Sequence, residues 1–310
     1  MLNCIFTPDS IWKAEVRWAT DAFYTLPNSA EAAITNATVI IATPAGPADT
    51  LVHTGDGWYI GHTKPLPGIA YQIKATVPGY GELTAIDSIP QALPDVTATI
   101  DTTVMHEMIE PVLLNPTAYY EIQCKIQNAS SGSALSSQFI KISLQAYNQY
   151  FLENNPVYQD SNFQSFYAFT YDKTLQPVSG GMPFLLFDNS AWSGESRTVP
   201  FYCYAKPYGH YWVSEGGDVV PSPIDAPPPA QPNTEPFQIS DDIPARVNFF
   251  YNYFLTCSVL SPAMYQYQLS YFRQNQQLAN PLAEYVNVYS NISGGLGIFA
   301  GYQSRKIKIN

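Results

Sequence analysis

From Ile11 to Trp18 the chain alternates, with Ile11, Lys13, Glu15 and Arg17 on one side and Trp12, Ala14, Val16 and Trp18 on the other. A period of two predicts a strand with one polar and one apolar face. Leu2 to Phe6, ended by the turn Thr7-Pro8-Asp9-Ser10, predicts a strand before it. A polar stretch, Thr20 to Asn36, precedes the apolar run Thr38 to Ala42, which stops at Pro44 and Gly46. Strands at Thr50 to His53 and Trp58 to Ile60 flank Gly55-Asp56-Gly57, a hairpin signal. Pro67-Gly68 introduces another alternating strand, Tyr71 to Val77. Short strands at this spacing predict an immunoglobulin-like β-sandwich over residues 1–92.

The segment Asp87 to Asp95 contains Pro90 and Pro94 and few apolar residues, and it predicts a short, stiff linker. Beyond it, strands are expected at Thr103 to Glu110, Tyr119 to Ile126, Phe139 to Ala146, Phe163 to Tyr171, Phe184 to Phe187, Val199 to Tyr204 and Val247 to Leu260. Residues 93–310 therefore form a larger, mainly antiparallel β domain, and the whole chain is expected to be all-β. Two features interrupt the strands. Gly216 to Pro236 is dense in proline, including Pro227-Pro228-Pro229, and predicts an exposed loop with polyproline character. Ser261 is a suitable N-cap and Pro262 a suitable first helical residue, and Tyr265, Leu269 and Phe272 recur at helical spacing, which predicts one amphipathic helix over 262–277. No repeat of 20 to 50 residues is present.

Composition narrows the function classes. Charged residues are 13% of the 310, about half the usual share of roughly 25%, and aromatics reach 14%. A net charge of −11 supplies no footprint for a phosphate backbone, so nucleic acid is not an expected partner. The apolar content argues against disorder, and no run of 18 apolar residues is present to span a bilayer as a helix. Cys4, Cys124, Cys203 and Cys257 lack CxxC spacing, and each sits among alternating or apolar residues. Small buried side chains within strands are the favoured reading, with a disulfide between two of the last three as the alternative. Acylation of Cys4, as at a lipoprotein cleavage site, is disfavoured by its strand context.

Candidate chemistry is sparse. His106-Glu107-Met108-Ile109-Glu110 lacks the second histidine of a zinc helix, and the β-branched residues before it favour a strand. His53, His62 and His210 are isolated, so no metal site is expected. Gly194-Glu195-Ser196-Arg197-Thr198 lacks the closing glycine of a nucleophile elbow. Asp188, Asp241 and Asp242 offer carboxylates without a defined pairing, and solvated turns are their default reading. Gly294-Gly295-Leu296-Gly297 has neither the Lys-Ser/Thr pair nor the helix of a phosphate cradle, and its glycines are expected to serve backbone geometry. No catalytic residue and no cofactor is therefore expected. The aromatic cluster Tyr202, Tyr204, Tyr208, Tyr211 and Trp212 remains, either as a stacking platform or as one packed sheet face. Tyr208, Tyr211 and Trp212, with the proline-rich loop, are the candidate binding residues.

The run Asn280 to Tyr302, with Asn287, Ser290, Asn291, Gly294, Gly295, Gly297 and Phe299, resembles the closing signature of a Bacteroidota outer-membrane lipoprotein family known as domain of unknown function 4249. The aromatic helix before it, the paired tyrosines within Asn115 to Ile126, and Asn36-Ala37-Thr38-Val39, Gly57-Trp58-Tyr59, Pro67-Gly68-Ile69-Ala70-Tyr71 and Ile86-Asp87-Ser88-Ile89 also follow the family order. The resemblance covers nearly the whole chain and departs from the family at residues 216–236. It implies that the seven signature residues are structural. It also implies an exported protein whose signal peptide and lipid-attachment cysteine lie upstream of Met1, at the cell surface or periplasmic face of the outer membrane. The expected partner is an outer-membrane β-barrel, a TonB-dependent receptor, with the membrane reached only through that upstream lipid anchor. The expected role is non-enzymatic, as an accessory in cargo capture or gating. A structural subunit of a secretion or barrel-assembly machine is the alternative. Asp9-Ser10-Ile11, Asp49-Thr50-Leu51, Asp87-Ser88-Ile89 and Asp101-Thr102-Thr103 resemble the short O-glycosylation pattern of these bacteria and agree with export.

Overall fold

The computed structural model describes residues 1–19, 32–91, 93–108, 117–127, 138–152, 155–166, 168–169, 184–188, 196–204, 210–213, 219–221, 246–278 and 286–309. Seven strands come first: β1 (Leu2–Phe6), β2 (Lys13–Val16), β3 (Thr38–Thr43), β4 (Gly46–Gly55), β5 (Trp58–Ile60), β6 (Ala70–Val77) and β7 (Gly81–Ser88). Next come β8 (Asp95–Met108), β9 (Thr117–Gln127), β10 (Phe139–Leu152), β11 (Asn155–Phe166), β12 (Ala168–Phe169), β13 (Phe184–Asp188) and β14 (Ser196–Tyr204). The last elements are β15 (His210–Val213), β16 (Val219–Pro221), β17 (Arg246–Leu260), α1 (Pro262–Leu278) and β18 (Gly297–Lys308). The described residues are mainly β with one helix near the C-terminal end, as the periodicity predicts.

The strands form two sheets. One runs in the order β11-β10-β17-β18-β1-β2-β5-β4-β3-β6-β7, and the other is β12-β14-β9-β8. The first sheet joins the two ends of the chain. β18 pairs antiparallel with β17 on one side and parallel with β1 on the other, from Leu2 opposite Gly297 to Phe6 opposite Gly301. A bridge between Thr84 and Ser293 then links β7 to the segment before β18. The C-terminal strand thus belongs to the same sheet as the strands of residues 1–88. No local pattern encodes a pairing between strands this far apart.

Three apolar cores follow from the alternation. The first gathers Ala14 and Val16 of β2, and Trp12 just before it, with Val39, Ile41, Tyr71, Ile73 and Ala75, and takes Ile292 and Phe299 from the C-terminal segment. Phe6 lies 4.7 Å from Phe299 and 5.0 Å from Trp12, ring centre to ring centre, so both chain ends share one aromatic cluster. The second core lies between the sheets, where Ile140, Ile142, Leu144, Leu255 and Cys257 meet Val96, Ile122, Cys124 and Ile126. In the third, Met264, Tyr265 and Leu269 of α1 pack on Leu186, Leu260, Ile298 and Ala300. Burying Met264 and Leu269 contributes roughly 1.5–3 kcal/mol each.

Several expectations change. The first part of the expected stiff linker is anchored: residues 87–88 finish β7, Ile89 is fully buried, and the Pro90 carbonyl accepts Gln303 Nε2 at 2.6 Å. β7 has no clean alternation, because Glu82 and Ile86 are both exposed, and periodicity therefore misses it. Within the proline-rich stretch, Val219–Pro221 forms β16 and pairs with β15, while residues 222–236 lie outside the described residues. Tyrosine abundance has a structural use: Tyr59 donates its hydroxyl to the Ile34 carbonyl and accepts the Ala37 N–H, both at 2.9 Å. The Tyr71 hydroxyl accepts the Leu66 N–H at 2.8 Å. Each ring fills the core while its polar tip ties down a connecting segment.

Candidate binding cleft

The second face of the large sheet carries the candidate site. Apolar residues at 140, 142 and 144 point into the core between the sheets, so Lys141 and Ser143 of β10 project from the opposite side. Antiparallel register places Lys141 across from Ser258 of β17, and Ser258 across from Ser304 of β18. One step along, Ser143 faces Thr256, which faces Lys306. Directly opposed residues share a face, so two polar rows cross three strands.

Helix α1 covers this face incompletely. The gap is a half-open cleft of about 400 Å³, with the polar rows as its floor and Gln268 and Met264 as its helical wall. Ile5, Leu260 and Tyr302 complete the lining. The volume lies in the range typical of small-ligand sites.

Two polar groups in the cleft lack counterparts. Lys141 Nζ sits 4.2 Å from the centre of the Phe184 ring, a cation–π contact, and no carboxylate of the described residues lies within ion-pair distance. Burial pushes its pKa below the ordinary lysine value. Gln268 Oε1 is buried and has no hydrogen-bond partner among the described residues. An acceptor left without a donor carries a desolvation cost that a ligand N–H would relieve.

The helix is set over the cleft by its N-terminal cap. Ser261 Oγ accepts the Met264 N–H at 3.1 Å and donates to Asp87 Oδ2 at 2.5 Å. The same carboxylate oxygen accepts the Gly301 N–H at 2.9 Å. Asp87 therefore joins the end of β7, the start of α1 and the middle of β18. The capping serine is legible in the sequence; its acceptor, 174 residues earlier, is not.

The aromatic candidates lie elsewhere. Tyr211 and Trp212 are in β15, opposite Val247 and Arg246 at the far end of β17. Val247 and Ser258 are about 35 Å apart along an extended strand, so these aromatics do not join the cleft. Tyr208 lies outside the described residues, as do Asp241 and Asp242. Tyr202 and Tyr204 are in β14 and His106 is in β8. Asp188 ends β13 next to Tyr265 and contributes no lining to the cleft. Among the described residues no three His, Cys, Asp or Glu side chains converge. Among the same residues no helix is long and apolar enough to cross a membrane. Cys4, Cys124 and Cys257 are buried free thiols, which removes the disulfide pairing for the last two. Of the Asp-Ser/Thr patterns, Ser10 and Thr50 are exposed and Ser88 is half-buried.

The signature residues organise the segment leading into β18. Asn291 Nδ2 donates to the Phe299 carbonyl at 2.7 Å and Oδ1 accepts the Phe299 N–H at 2.9 Å. Ser290 Oγ accepts the Gly297 N–H at 3.1 Å. Gly294 and Gly295 pack against Glu82 and Leu83 of β7, and Gly297 abuts the Leu2 backbone. Asn287 is exposed. Sequence reasoning misses the cleft residues Lys141, Ser143, Thr256, Ser258, Gln268 and Ser304. The signal of the five strand residues is the polar half of each alternating strand, which is indistinguishable from a solvated face until the helix that carries Gln268 is placed.

A family model described as Domain of unknown function (DUF4249) matches residues 1–308. No curated protein and no solved structure shows significant similarity to the chain. Matched over residues 1–308, the chain belongs to the family of domain of unknown function 4249.

Proposed function

We propose that the chain is a non-enzymatic, lipid-anchored protein of a Bacteroidota outer membrane, accessory to a TonB-dependent transporter and acting in cargo capture or gating. The observation that carries this reading is the cleft beneath α1: about 400 Å³, with a lysine that meets no carboxylate among the described residues, hydroxyl rows and an apolar wall. Those groups suit reversible binding of a small ligand, because they combine a few orienting polar contacts with apolar area. The setting comes from the family resemblance, whose members are expected at the outer membrane in company with TonB-dependent receptors. A composition low in charge and rich in tyrosine agrees with contact to a partner protein.

Deletion of the gene in its native host tests the reading. Cargo capture predicts slower growth on one limiting nutrient, with detergent and antibiotic sensitivity unchanged. Envelope damage on every nutrient favours instead a structural subunit of a larger outer-membrane assembly.

A further inference from the structure

The cleft narrows the chemistry of its occupant, and this step rests on the capture reading above. Among the described residues Lys141 has only an aromatic ring as neighbour for its charge, and no anion faces it there. The hydroxyls of Ser143, Thr256, Ser258 and Ser304 line the same floor and can donate to such an anion. Gln268 Oε1, buried on the helical wall, lacks a donor. Leu260 and Met264 are 2% and 5% exposed and supply apolar contact, while Ile5 stands 41% exposed at the sheet surface. The missing partners are thus one anion, one N–H and one apolar group, all within about 400 Å³.

We infer that the cleft binds the carboxylate end of an acylated amino acid: the carboxylate on Lys141 and the floor hydroxyls, the adjacent amide N–H on Gln268, and an apolar side chain against Leu260 and Met264. A peptide C-terminus and a free N-acyl amino acid share this chemistry. Phosphate esters fit less well, because the cleft has a single lysine and no arginine among its lining residues.

Calorimetric titration of the whole chain tests this with four probes: N-acetyl-leucine, the tripeptide alanyl-alanyl-leucine, and the C-terminal amide of each. The free acids are expected to bind saturably and the amides at least about tenfold more weakly, a difference of roughly 1.4 kcal/mol. Lys141→Met keeps a side chain able to contact Phe184 and removes the charge. It is expected to lower affinity for the acids at least about tenfold, and to leave the melting temperature unchanged or raised. If Lys141→Met fails to fold, the pair Ser143→Ala and Ser304→Ala removes floor hydroxyls and is expected to weaken the acids by about threefold or more. Tighter tripeptide binding assigns the site to peptides, and tighter N-acetyl-leucine binding assigns it to free N-acyl amino acids. Absence of saturable binding by both acids, equal binding of acid and amide, or binding unaffected by the folded variants overturns the assignment. These titrations need no membrane partner, so their failure is distinct from failure of the transporter-accessory reading.

Discussion

Asp87 and Ser261 meet at 2.5 Å across 174 residues of chain, and the serine hydroxyl that reaches the carboxylate also caps α1 through the Met264 N–H. One side-chain contact therefore holds the first sheet segment to the helix that walls the cleft. Ser261→Ala is expected to cost about 2 kcal/mol, combining a lost N-cap with a lost donor to a half-buried carboxylate. Asp87→Ala is expected to cost about 3 kcal/mol, because it also strands the Gly301 N–H. Urea unfolding of both single variants and the double variant checks the link. The account predicts a coupling energy of about 1 kcal/mol, whereas strictly additive losses contradict it.

Two aspartates should give stability opposite pH dependences. Burial is the largest influence on Asp87 and outweighs the hydrogen bonds from Ser261, Gly301 and Ser88, so its pKa lies above the ordinary 3.8. A raised folded-state pKa gives a contribution that is complete below the unfolded value and is lost as pH rises through the folded one. The advantage of wild type over Asp87→Asn should therefore shrink as pH climbs from about 4 toward neutrality. Burial also opposes the charge on Asp49. There the N–H groups of Thr63 and His62, the Thr63 hydroxyl and the Thr50 N–H prevail and hold its pKa below 3.8. Its contribution is present above that value and is lost as pH falls through the folded one, so the advantage over Asp49→Asn should shrink below about pH 4. Denaturant midpoints measured across that range decide both signs.

Much of this architecture is legible locally. β2 and β6 show their buried faces as simple alternation, and α1 shows its start as Ser261-Pro262 and its face as Tyr265 and Leu269. What local pattern omits is the partner at long range. β1 and β18 pair in parallel from opposite ends of the chain, and Asp87 resembles a linker residue because the donors that anchor it at long range are residues 261 and 301. The cleft is hidden for the same reason. Lys141 and Ser143 look like an exposed strand face, and only the docking of α1 turns that face into the floor of a half-open cleft. The aromatic run near Tyr211 drew attention by composition, yet β15 sits at the other end of β17 from the cleft.

Glycine substitutions separate backbone conformation from crowding. Gly297 has φ of +130°, and a Cβ there would collide with the Leu2 backbone where β18 meets β1. Gly79 has φ of +80° and open space around it. Gly79→Ala is expected to cost about 1 kcal/mol, from conformation alone. Gly297→Ala is expected to cost at least about 3 kcal/mol or to prevent folding. Equal melting temperatures for the two variants would contradict the parallel pairing of the chain ends.

Burial pushes the thiols of Cys4, Cys124 and Cys257 up to about 12, leaving almost no thiolate at neutral pH. Iodoacetamide should leave these three unmodified in the native protein and label them fully in denaturant, as read by peptide mass spectrometry. Rapid native labelling of Cys124 or Cys257 would contradict the packing of the core between the two sheets.

The accessory role is tested most directly by purifying an affinity-tagged chain after mild solubilisation of its native outer membrane. The account predicts that a TonB-dependent β-barrel co-purifies in near-stoichiometric amount and remains bound through washing. Recovery of the tagged chain with no β-barrel protein would contradict it.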